Sequence, residues 1–222
     1  MMASSQGPLC LLKELRVSSH QIPSFGRIPN TSIQKKPFLI YHSAFHPGTS
    51  ASVIEAHLRS VDVVEPQWRY TVSIPKAFSF QLCNANSKMY SRCIGVARHR
   101  RLIGDKLTNH STSHFHSTSH EVLCVAKGRA KLCFGHENNA ERVEPVVKEG
   151  DVMVIPAGVS HRLLEDIDGG FSMVGSYQRG YSWDMCYGKE GEEDKLKSIK
   201  SLGWFDRDPI YGDKGPVLDI ST

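Results

Sequence analysis

The sequence has no apolar run near the ~18–20 residues that a membrane-crossing helix needs, so an integral membrane protein is not expected. It has no Cys-x-x-Cys pair and no dense cysteine framework. Cys10, Cys83, Cys93, Cys124, Cys133 and Cys186 are scattered, and Cys124 and Cys133 fall in apolar, strand-like runs. They read as buried reduced thiols, which favours a cytoplasmic compartment. No basic n-region is followed by a long apolar core, so secretion is not expected. The same stretch is Ser-rich and acid-poor, as transit peptides are, but Pro23, Gly26 and Pro29 prevent a clean amphipathic helix. Collagen-like, coiled-coil and disordered compositions are excluded. With 40% hydrophobic and 23% charged residues among 222, the chain suits one ordinary domain plus extra segments.

Acidic residues are scarce in two places only. Residues 1–36 hold five basic side chains against Glu14, and residues 71–110 hold seven against Asp105. Everything else holds 15 basic and 21 acidic residues, so the formal charge of +4 belongs to those two segments. The remainder is acidic, and no nucleic-acid partner is expected.

Residues 1–36, broken by Pro23, Gly26 and Pro29, read as an irregular arm. Phe38–Tyr41 reads as a short edge strand. A helix is predicted from Ser52, with Ser52 and Glu55 at capping-box spacing, Val53, Ile54, His57 and Leu58 on one apolar face, and an end before Asp62. Val63–Val64 then lead into a turn at Glu65–Pro66. From Glu121 the texture becomes short strands: 121–126, 130–134, 152–155, 161–164 and 171–177. Turns at Lys127–Gly128, Glu149–Gly150, Ala157–Gly158 and Gly169–Gly170 separate them, which predicts an all-β antiparallel sandwich or barrel. A helix-prone stretch, 190–201, opens on an acidic cluster that reads as a solvated helix start. Trp204, Phe205, Ile210 and Tyr211 then predict a tail that packs back on the domain.

Residues 72–110 fit neither period, and a loop of about forty residues inside a compact domain counts against itself. Two readings stand side by side: a disordered basic insertion, and a translated intron. Val72–Ser73 permits donor-like codons and His110–Ser111 acceptor-like ones. Sequencing cDNA across 71–111 separates the two, and finding only transcripts that retain the segment sinks the intron.

The chemistry concentrates in two runs. In HFHSTSHEVLCVAKG, His114 and His116 are two apart and share one face of a strand; Glu121 and Gly128 follow. In GDVMVIPAGVSH stand Gly150, Pro156, Gly158 and His161. The pair resembles the two motifs of the cupin superfamily: His-x-His, four residues, Glu, six, Gly; then Gly, five, Pro, x, Gly, two, His. Residues 129–149 separate them, as in a short-loop member. Two positions depart from the family pattern, Thr108 where Gly is usual and Glu165 where Asn is frequent. The order of parts over 37–70 and 111–222 also resembles small single-domain cupins of bacteria and fungi with no assigned function, through HFHSTSHEVL, GDVMVIPAGVSHRLLE, VGSYQRG (174–180) and WDMCYG (183–188).

The resemblance implies a jelly-roll β-barrel cupin domain over 37–222, with a short N-terminal helix and a C-terminal tail. It implies one divalent transition metal (Fe, Mn, Ni, Cu or Zn) held by His114, His116, Glu121 and His161. Glu121 is also the candidate catalytic residue, able to stay bound or swing off as a base. His120 competes with His114 as a ligand, but as the neighbour of Glu121 it points to the other face and reads as a supporting or surface group. Tyr177, Trp183 and Met185 lie on late strands that can face the cavity, with core packing the plainer role. The expected partner is a small organic molecule, turned over by dioxygenase-type chemistry at Fe(II). Metal-dependent isomerase or lyase chemistry and non-catalytic binding are the alternatives. The family's habit of dimerising gives the 1–36 arm a role in a homodimer.

Overall fold

The computed structural model describes residues 7–72 and 112–220. Among the described residues nine strands form two antiparallel sheets. The first contains β1 (Arg16–His20), β2 (Phe38–His42), β3 (Val64–Thr71), β4 (Glu121–Lys127), β7 (Val152–Ile155) and β9 (Ser172–Gln178), in the order β1-β2-β7-β4-β9-β3. The second contains β5 (Arg129–Phe134), β6 (Val146–Lys148) and β8 (His161–Asp166), in the order β6-β5-β8. The architecture is all-β and of jelly-roll type. Among the described residues no helix is long and apolar enough to cross a membrane.

Period-2 alternation sends the side chains of the large sheet's inner strands into two cores. Ile40, Leu123, Val125, Met153, Ile155 and Met173 of the large sheet meet Ala130, Leu132, Phe134 and Val147 of the small one. The other face of the large sheet presents Leu39, Tyr41, Val122, Cys124, Val152 and Val174. Helix α1 (Ala51–Val61) covers that face with Ile54 and Leu58, and the C-terminal segment adds Phe205, Ile210 and Val217. Burial on both faces explains why β2, β4 and β7 are apolar almost throughout. The expected packing of the tail is therefore present.

Several local expectations are corrected. The Ser50 side chain, and not that of Ser52, accepts from the Val53 N–H at the helix start; the helix ends at Val61, before Asp62 as expected, and Asp62 caps it in a left-handed conformation (φ 64°). Glu55 is released from capping and pairs with Arg69 of β3. Val53 is 45% exposed, because α1 buries a narrower stripe than its apolar residues suggest. Phe38–His42 is an interior strand, since β1 from the expected irregular arm pairs outside it, Arg16 opposite His42 and His20 opposite Phe38. Glu65–Pro66 is no turn: β3 runs through it as the other edge, where a missing N–H is tolerated, with a bulge between Pro66 and Trp68. In α2 (Glu193–Ser201), the preceding Glu192 is more than a solvated acid, because its carboxylate accepts from the backbone N–H groups of Tyr187, Gly188 and Lys189 at 2.8–3.1 Å. Cys124, Cys133 and Cys186 are buried free thiols and Cys10 is half-buried. The 72–110 segment, Thr108, Cys83 and Cys93 lie outside the described residues, apart from Val72, which donates to the Phe171 carbonyl at 2.9 Å.

Candidate metal centre

The two motifs meet backbone to backbone. His114 and His161 exchange hydrogen bonds, N–H to C=O, at 3.2 and 2.8 Å. The predicted strand through 114–116 is reduced to this bridge and one from Phe115 to Cys186, but the alternation survives. Phe115 turns away into a separate apolar cluster with Ile28 and Ala157, while His114 and His116 face inward. His161 enters from the first position of β8, in the small sheet, and Glu121 from the first position of β4, in the large one. The site therefore lies between the sheets, at the end where both strands begin.

His114, His116 and His161 form a buried trio whose candidate ligand atoms all lie within 4.8 Å of one another, enough to hold a metal ion. Glu121, 1% exposed, places Oε2 3.0 Å from His161 Nε2 and 3.4 Å from His116 Nε2. Each imidazole is fixed by a backbone carbonyl on its other nitrogen. His114 Nδ1 contacts Thr112 O at 2.9 Å, His161 Nδ1 contacts Val159 O at 3.0 Å, and His116 Nδ1 contacts Asp184 O. A carbonyl only accepts, so each Nδ1 carries the proton, and in the neutral ring Nε2 is left with a lone pair. With all three rings neutral no N–H is directed at Glu121 Oε2, a buried atom then without a hydrogen-bond partner; a second proton on His116 sits on Nε2 and faces it.

The electrostatics ask for one positive charge in this cluster. Burial alone raises the Glu121 carboxyl, but His116 and His161 beside it outweigh burial and hold it well below the usual range. Burial alone lowers His116, but the Glu121 charge outweighs it and the imidazole goes up. Burial, helped by neighbouring His161, takes His114 down to about 3, so it stays neutral. A proton on His116 balances the carboxylate when nothing else does. Three nitrogen lone pairs and one orphaned carboxylate oxygen fit a divalent transition cation in that role.

A family model described as Cupin matches residues 107–164, which contain both histidine motifs. The uncharacterized protein YjlB of Bacillus subtilis (strain 168) is 40% identical over 108 residues, 48% of this chain and 63% of that protein. Over the span that carries both histidine motifs, the chain is similar to cupins. It spans somewhat less than two thirds of the relative it matches. Among solved structures, the 11S globulin procruciferin of Brassica napus is 19% identical (34% of this chain, 18% of that one, TM-score 0.28). The 7S globulin of Momordica charantia is 20% identical (33% and 23%, TM-score 0.28). Likenesses that partial carry no argument about this chain.

Around the trio, His120, one residue before β4, is fully buried and turned away from Glu121. Its Nδ1 accepts from the Ala157 N–H at 2.9 Å and its Nε2 donates to Gly203 O at 3.1 Å, tying the second motif to the C-terminal segment. Of the three late aromatic or sulfur candidates, Tyr177 faces the site, its hydroxyl 3.5 Å from His116 Nε2. Trp183 lies past the end of β9, 43% exposed, and stacks on Tyr177; Met185 is half-buried in the same segment. The role of Asp184 was not visible in the sequence. Its carbonyl orients His116 and its carboxylate accepts from Ser117 N, Ser117 Oγ and Lys195 Nζ at 2.7–3.0 Å. A narrow cleft of about 10 Å³ adjoins His114 and His161, walled by Trp68, Leu123, Leu132, Phe134, Leu163 and Met173. It offers room for about one water-sized molecule in an apolar setting.

Proposed function

We propose that the protein is a mononuclear metal enzyme acting on a small organic molecule, with His114, His116, His161 and Glu121 as ligands and dioxygenase-type chemistry at Fe(II). The observation that carries this is the convergence of three carbonyl-oriented imidazoles on a buried carboxylate that has no donor of its own. A bound Fe(II) supplies open positions for dioxygen and substrate. The chain itself supplies the orientation of each ring and a mostly apolar cleft whose size and lining suit dioxygen. Glu121 is the ligand whose charge the other three lack.

Metal-dependent isomerase or lyase chemistry is the second reading. It is favoured by one buried, proton-bearing group beside the cluster, the Tyr177 hydroxyl.

Metal analysis of the full chain after loading with each candidate ion tests the first step. About one ion per chain is expected, and a His161→Ala variant should lose it. Oxygen uptake by the iron-loaded protein across a panel of small carboxylates, phenols and thiols tests the second. Metal bound with no oxygen uptake, but with isomerisation or elimination, selects the second reading. Metal bound and melting temperature shifted by ligands, without turnover, selects a binding cupin. No stoichiometric metal in a folded sample removes the proposal.

A further inference from the structure

Tyr177 stands opposite Glu121 in the β4–β9 pair, so the two side chains leave the same face of the sheet as direct cross-strand neighbours. Its ring meets His116 edge-on at 5.1 Å, and the residue is 3% exposed. Two indoles set its position. Trp68 Nε1 donates to the Tyr177 oxygen at 3.1 Å, and Trp183 stacks on the ring at 5.4 Å with an interplanar angle of 15°. The first contact depends on Gly175, which lies opposite Trp68; a Cβ there would fall 2.0 Å from the indole ring.

A phenol has one proton to give and an oxygen able to accept. With Trp68 donating to that oxygen, the Tyr177 proton is directed elsewhere, and on that side the hydroxyl faces His116 Nε2 at 3.5 Å and the Glu121 carboxylate. Once the Nε2 lone pair is engaged by a cation it accepts no hydrogen bond. The hydroxyl proton then has two kinds of acceptor in the same space, the Glu121 carboxylate and an anionic atom brought to the metal. We propose that Tyr177 donates a hydrogen bond to the anionic atom of whatever ligand shares the metal with the three histidines and Glu121, and so selects a small oxyanion or other anionic donor. Trp68 and Trp183 are its positioning residues. This inference rests on the metal reading above.

The test uses the full chain loaded with Co(II), whose visible spectrum reports its ligands, with azide and the metal's own bound water as probes. Tyr177→Phe removes one oxygen atom and should retain stoichiometric cobalt. It is expected to weaken azide binding about tenfold and to raise the pH midpoint of the bound-water transition by about one unit. Trp68→Phe, which leaves Tyr177 present but unanchored, is expected to weaken azide about threefold, and it serves as the deciding variant should Tyr177→Phe misfold. Unchanged azide affinity and midpoint in the folded variants, or a cobalt-loaded wild type blind to azide, overturns the inference while leaving metal binding intact. A wild type that takes up no cobalt overturns the metal reading and this inference with it.

Discussion

His120 illustrates what one buried side chain does for the site without touching its centre. Its neutral ring accepts from one backbone N–H and donates to one carbonyl, two bonds that a protonated ring cannot make together. Burial, only partly opposed by the Gly203 carbonyl, holds its pKa down at about 4 against an ordinary 6.5. The unfolded chain takes the proton near 6.5 and the folded chain near 4, so the unfolded state binds more protons in between. Stability therefore falls as the pH drops through that window, by roughly 2 kcal/mol between pH 7.5 and 5 from this residue. Urea denaturation at both pH values is expected to give a larger loss for the wild type than for His120→Gln. Equal losses would refute the assignment. The sequence revealed that His120 and Glu121 point to opposite faces, which follows from strand geometry alone. It did not reveal what His120 meets there, because both partners are backbone groups of distant segments. For the same reason Asp184 was missed: a carbonyl that orients His116 could belong to any residue type.

At the scale of elements, Gly175 connects packing to the site. Its lack of a side chain lets the Trp68 indole lie flat across β9, and from there Nε1 reaches Tyr177. Gly175→Ala puts a Cβ 2.0 Å from the ring, so the indole must leave. A destabilisation of about 1–3 kcal/mol is expected, together with loss of the Trp68–Tyr177 hydrogen bond. A lowered melting temperature and a shift in tryptophan fluorescence check this; unchanged values would mean that Trp68 is held by other contacts. The strands β4, β5, β7, β8 and β9 were legible in outline because turns punctuate them closely. β3 was not, since Pro66 reads as a stop, and only its place at the sheet edge with a bulge beside it makes the proline harmless. β1 was hidden in a stretch whose prolines and glycine lie outside the strand itself.

At the scale of the molecule, the second core depends on a segment far away in sequence. Asp208, fully buried, accepts from Tyr41 Oη at 2.7 Å and from the backbone N–H groups of Ile210 and Tyr211 at 2.8 and 3.0 Å. It thereby fastens the segment carrying Phe205, Ile210 and Val217 onto the large sheet. Asp208→Ala strands three donors in an apolar setting and is expected to cost roughly 3 kcal/mol or more. A thermal shift of several degrees, with the C-terminal segment turning protease-sensitive, is the outcome to look for. A shift near zero would mean that the apolar residues alone hold the tail.

By itself the sequence determined the local grammar of this protein: short strands, the turns between them, and four potential ligands at motif spacing. Each follows from backbone geometry or side-chain chemistry within a few residues. Only the tertiary structure decided that Glu121 and His161 enter from facing sheets, that carbonyls of Thr112, Asp184 and Val159 point three lone pairs at one place, and that Tyr177 joins them. Those outcomes are set by register between strands and by backbone groups common to every residue. A one-dimensional pattern carries neither.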